Sequence, residues 1–236
     1  MMSKELILRL LLVPACLFML TPTASLANMI LNKSIIHFEA DKPNRQDVVV
    51  ENSGNTPLYI KVTTHSIFNP GTDQQSRKKI VNPKESGLLV SPNKLVVSPK
   101  GRKLIRFLNL KPKRHQEGVY RVAIEPVAGK LIAKKTGLKI LIGYEVLVLA
   151  QPINPAPKLV AIREGRNLTM SNEGQTNIFL LEGKQCPSKS TKTEDCVSLQ
   201  TGRLYPGNKW QISLPHDAPV QYQISIGTQN SLRSIP

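Results

Sequence analysis

Signatures of catalysis are missing from this chain. It has no HExxH pair, no GxSxG elbow, no P-loop and no dinucleotide glycine pattern. The four histidines, His37, His65, His115 and His216, are scattered. Acidic residues are few, 16 against 32 Lys and Arg, and no carboxylate pair for glycoside hydrolysis is evident. The expectation is therefore not an enzyme, with no cofactor and no metal. Finger, helix-turn-helix and RNA-binding signatures are absent too, so nucleic acid is not an expected partner. Beyond residue 27 no apolar run approaches the ~20 residues of a membrane helix, so no membrane insertion is expected. Helical periodicity is nearly absent, which points away from any bundle.

The first 27 residues read as a secretory leader. Lys4 and Arg9 provide a basic start, residues 10–20 an apolar core, and Ser25 and Ala27 the small residues of a cleavage site. A lipidated Cys16 in "VPAC" is the rival; Pro14 and the short apolar run before it argue against that. Two cysteines then remain, Cys186 and Cys196. In an oxidising compartment a single disulfide closing a short loop is the natural reading. Zinc is the alternative, but no histidine or second cysteine pair lies nearby. Loss of Lys4, Glu5 and Arg9 with the leader lowers the net charge from +16 to +15. Such a surplus attracts polyanions or acidic protein surfaces.

Short β-branched runs fill the rest, separated by turn residues. They cover residues 29–38, 46–52, 58–68, 87–91, 94–98, 102–110, 118–127 and 138–150. "NPGTDQQSRKK" reads as a polar loop between two of them. After the prolines at 152, 155 and 157 the pattern restarts. The expected fold is all-β, with two immunoglobulin-like sandwiches of about seven strands each. The expected division is a leader over 1–27, a first domain over 28–152 and a second over 153–236. "KPKRH" and "RKK" read as basic loops, and "NLT" at Asn167 as an idle glycosylation pattern.

The stretch "GLKILIGYEVLVLAQPINPAP" raises a question. Leu138, Ile140, Ile142, Tyr144, Val146 and Val148 share one parity, and Leu141, Leu147 and Leu149 the other. A sandwich strand needs only one apolar face. Either the protein covers the second face itself, at a domain interface for instance, or a partner covers it.

Residues 69–127, with "LLVSP", "LVVSPKG", the basic "LIRF" and "VYRV", resemble the first domain of periplasmic pilus chaperones of the chaperone–usher system. The resemblance is to the alternate branch serving class 5 and common-pilus-type fimbriae. It continues through the apolar last strand and the proline-bearing linker, then more loosely through "GRNLTMSNEGQTNIFL", Cys186, Cys196 and "LYPGNKW". It implies two sandwiches in a boomerang arrangement, a periplasmic location, and pilus subunits and an outer-membrane usher as partners. It also implies donor-strand complementation by residues 138–150, with Leu138, Ile140, Ile142 and Tyr144 as subunit contacts. Free copies could self-associate through the same edge. In the family, basic residues in the cleft hold the subunit's terminal carboxylate. The better-known branch uses an Arg on the first strand and a Lys near the end of the last. Here Lys33 is the basic residue of the first strand, and Leu147 falls where that Lys is expected. Arg121, Arg106 and Lys139 are the candidate anchors instead. The rival function is a secreted two-domain sandwich that binds acidic polysaccharide or acts as an adhesin.

Overall fold

The computed structural model describes residues 29–127, 141–188 and 193–235. The leader, Cys16, Leu138, Lys139 and Ile140 therefore lie outside the described residues. Among the described residues ten strands make the first sandwich: β1 (Met29–Leu31), β2 (Ile35–Phe38), β3 (Arg45–Asn52), β4 (Leu58–Phe68), β5 (Ser76–Lys79), β6 (Leu88–Ser91), β7 (Lys94–Val97), β8 (Arg102–Asn109), β9 (Gly118–Pro126) and β10 (Tyr144–Ala150). A short helix, α1 (Pro83–Ser86), starts at an Asn82 cap and stops at Gly87, whose φ of 88° suits glycine.

One sheet runs β1-β3-β8-β6; the other runs β2-β10-β9-β4-β5, with β7 also on β4. Alternation along each strand sends one parity inward. Val48, Val50, Ile105 and Phe107 meet Val122, Ile124, Val146 and Val148 in a closed core. Two expectations are corrected here. Residues 29–38 are not one strand: the chain leaves β1, paired with β3, and re-enters as β2, parallel to β10 on the opposite sheet. "SRKK" is not loop but β5, an edge strand on β4. An all-exposed, all-polar strand carries no period-two signal, so composition could not reveal it.

The second sandwich has β11 (Leu159–Glu164), β12 (Asn167–Asn172), β13 (Ile178–Gln185), β14 (Val197–Leu199), β15 (Gly202–Leu204), β16 (Lys209–Ser213), β17 (Val220–Ile226) and β18 (Gln229–Ile235). Its sheets are β11-β12-β16 and β14-β13-β17-β18, with β15 on β13. Leu168, Met170, Leu180 and Tyr222 centre its core. Cys186 and Cys196 form the disulfide, joining the end of β13 to the approach to β14.

Each sandwich turns on the same device. Asn52, in "NSGNT", donates to Thr56 O and Val97 O and accepts from Gly54 N. Asn172, in "NEGQT", donates to Thr176 O and Leu204 O and accepts from Gly174 N. Both side chains are fully buried, replacing ladder bonds that the turn cannot make. The linker is clamped to the second turn: Glu173 N donates to Lys158 O and Gln175 N to Ala156 O. A Cβ at Gly174 would stand 2.2 Å from Ala156 O, so only glycine allows that approach.

Candidate functional site: the outer face of the six-stranded sheet

The outward parity of β2, β10, β9 and β4 faces away from the first core. Register places its residues in rows. The first row is His37, Leu149 and Val119, with Ile67 of β4 in the same buried cluster as Leu149 and Val119. Tyr205, just after β15, packs against Ile67, Val119, Leu147 and Leu149, and the five form a separate buried cluster. This resolves the two-faced strand in part. Val146 and Val148 fill the home core, while Leu147 and Leu149 are covered by the second sandwich.

Polar groups reinforce the junction. Glu117, at the start of β9, accepts from Thr176 Oγ1 at 2.9 Å, Asn177 N at 2.9 Å and Asn177 Nδ2 at 2.6 Å. Burial pushes its carboxyl above the ordinary range; these bonds and Arg203 oppose the shift without cancelling it. Arg203 lies 4.5 Å over the Phe179 ring and donates to Asn177 Oδ1. Asn208 Nδ2 adds a bond to Pro70 O.

The second row is Ile35, Leu147, Arg121, His65 and Lys79. Arg121 is partly exposed there, on a central strand, between an apolar junction and open solvent. Its neighbour across β4, His65, has a buried Nδ1 without a hydrogen-bond partner. Arg77, on β5, reaches over the same face toward Glu145. Four basic side chains thus share one face of the sheet beside the second sandwich.

The third element is an unpaired edge. β2 pairs β10 only over Leu147–Ala150, beginning with Leu147 N to Ser34 O. Alternation turns the Glu145 backbone to the same side, two residues earlier. No strand among the described residues pairs with it there, because β1 has gone to the other sheet. Leu141 and Ile142, just before β10, are 40% and 53% exposed.

Of the expected subunit contacts, Ile142 is exposed at this edge. Tyr144 is not: it packs on its own core, and its hydroxyl donates to Met29 O. Of the expected anchors, Arg121 stands on this face. Arg106 does not join it: it projects from β8, in the opposite sheet, and its Nε bonds Asp47 at 3.1 Å. Lys33 lies between β1 and β2 and bonds Gln46 at 3.2 Å. In "KPKRH", Arg114 is structural, bonding Asn109, Lys111 O and the Tyr120 hydroxyl. Arg77, Glu145, Glu117 and Tyr205 escape a reading of the sequence. Glu145, a lone acid in a greasy strand, is the one visible clue.

Residues 28–156 match the family described as pili and flagellar-assembly chaperones, PapD N-terminal domain. The chain belongs to this chaperone family. Two curated Escherichia coli relatives are similar to it. One, named as a CS1 fimbrial subunit, is 28% identical over 161 residues, 64% of this chain and 67% of that one. The other, named as a CFA/I fimbrial subunit, is 29% identical over 172 residues, 69% and 71%. Among solved structures, the class 5 fimbriae chaperone CfaA aligns with a TM-score of 0.66 at 22% identity, over 89% of this chaperone and 99% of that chain. The Salmonella enterica SafB chaperone, solved with the SafA pilin, aligns at 0.62 and 14% identity, over 90% and 99%. At those identities the likeness is one of fold: two β-sandwich domains. No helix among the described residues is long and apolar enough to cross a membrane.

Proposed function

We propose that this chaperone binds unassembled pilus subunits in the periplasm by donor-strand complementation and passes them to an outer-membrane usher. The unpaired β10 edge beside Arg121 carries the reading. A subunit lacking its last strand would add to that edge, as in known chaperone–pilin complexes. Backbone bonds give grip without regard to sequence, and alternate side chains upstream of Tyr144 give register. Leu138, Ile140 and Ile142 are the proposed anchors, and each fully buried one contributes about 1.5–3 kcal/mol. Arg121 receives the subunit's terminal carboxylate, for which a guanidinium offers two parallel donors. A binding rather than a catalytic role agrees with membership of a chaperone family.

Co-expression in the periplasm with candidate subunits tests this. The chaperone should carry a small β-rich subunit at about one to one, held through moderate salt by apolar burial. Arg121→Ala should abolish subunit recovery while the free protein stays folded. Unchanged recovery removes Arg121 from the site. A ligand that is lost steeply as salt rises would indicate a polyanion binder instead.

A further inference from the structure

The basic face already holds one acid. Glu145 stands on the same face of the sheet as Arg121, two residue pairs along the ladder. Its carboxylate accepts two hydrogen bonds from the Arg77 guanidinium, at 2.5 Å and 3.3 Å. Arg121 Nε stands 3.8 Å from the second oxygen, beyond hydrogen-bonding distance. Arg121 therefore feels the charge, yet among the described residues no acceptor bonds its donors. Arg77 comes from β5, with β4 and β9 between it and Glu145. The pair lies like a bar across the face that carries Arg121, His65 and Lys79.

A protein of net charge +16 meets many acids. A loose anion approaching Arg121 must share the site with a tethered carboxylate that never diffuses away. A subunit terminus has an advantage that a loose anion lacks: its backbone pairs with the β10 edge at the same time. We propose that Glu145 is a specificity-determining residue, a built-in competitor that keeps the Arg121 site from isolated anions and yields to a carboxylate arriving on a pairing strand. Discrimination of this kind comes from an element set against the wrong ligand, not only from contacts to the right one. Arg77 has the complementary part, holding Glu145 off Arg121.

This inference rests on Arg121 being the carboxylate anchor. The test uses the mature protein, isotope-labelled so that arginine Nε–H resonances report binding. The probes are acetate, the peptide acetyl-Thr-Val-Thr-Val-Thr-Val with a free C-terminal carboxylate, and the same peptide as its amide. The unmodified protein should bind the carboxylate peptide more tightly than the amide. Glu145→Gln should tighten acetate about two- to fivefold, the range of a partly exposed charge pair, tighten the carboxylate peptide by less, and leave the amide unchanged. Arg77→Gln, which frees Glu145 to turn to Arg121, should weaken the carboxylate peptide. Unchanged or weaker acetate binding in Glu145→Gln, tightening of the carboxylate peptide as large as that of acetate, or equal tightening of the amide, overturns the competitor role and leaves the anchor standing. No difference between peptide and amide in the unmodified protein overturns the anchor itself, and the competitor with it. Should Glu145→Gln fail to fold, Arg77→Gln decides: unchanged or tighter carboxylate binding overturns the proposal.

Discussion

Glu117→Ala should loosen the junction between the sandwiches without melting either one. The carboxylate accepts three hydrogen bonds at 2.6–2.9 Å from Thr176 and Asn177. Thr176 and Asn177 are 0% and 1% exposed, so water cannot readily replace it. A buried donor left without an acceptor costs about 1–3 kcal/mol. The Thr176 hydroxyl can rotate to another acceptor, whereas the Asn177 N–H is fixed. A loss of about 2–4 kcal/mol from the contact between the sandwiches is expected, with each core unaltered. Two measurements read it. Limited proteolysis should cut the linker near residues 152–158 faster. Calorimetry should show the two unfolding transitions moving apart. An unchanged cleavage rate and an unchanged calorimetric trace would refute the reasoning. The pH dependence provides a second arm. Burial raises the Glu117 pKa in the folded state above its ordinary value of 4.5. The folded protein then holds this proton more tightly than the unfolded chain does. Its stabilising contribution is complete below that ordinary value and is lost as pH rises through the folded one. From pH 7 to pH 5 the unmodified protein should gain stability relative to Glu117→Gln; a relative loss would reverse the sign and sink the assignment.

The paired asparagines make a matched test. Asn52→Ala and Asn172→Ala should each cost about 2–5 kcal/mol, since both strand several buried partners. In urea, each should lower only the transition of its own sandwich; one shared shift would show that the turns do not act locally. Tyr222 is buried and its phenol is pushed up to about 12 by that burial. Its stabilising contribution is full below the ordinary tyrosine value and declines as pH rises toward 12. Ultraviolet titration should find this phenol ionising only as the second sandwich unfolds in alkali, and Tyr222→Phe should remove that step.

Periodicity identifies most strands because one face of each meets a core. Leu58–Phe68, Arg102–Asn109 and Gly118–Pro126 are legible for that reason. It cannot say which sheet a strand joins, since alternation looks alike on both. Hence Arg106 and Arg121 look equivalent in sequence, though they project from opposite sides of the sandwich. Hence also the break at residues 32–34 is invisible: Met29 and Ile36 are both buried, on strands of different sheets. The apolar second face of β10 signals a demand for cover, but the sequence alone cannot apportion it. Leu147 and Leu149 answer to Tyr205, more than fifty residues on. The Arg77–Glu145 pair joins residues 68 apart, and no local rule connects them.

The crossing from β1 to β2 has a consequence for design and divergence alike. It happens at Asn32, Lys33 and Ser34, and the point of crossing decides how many rungs of β10 remain vacant. Lengthening β2 backward by two residues would shut the berth from within; moving the crossing later would widen it. On the proposed reading, sliding this one crossing would retune the span of a guest strand, at the cost of re-seating Met29 and Ile36 in the first core.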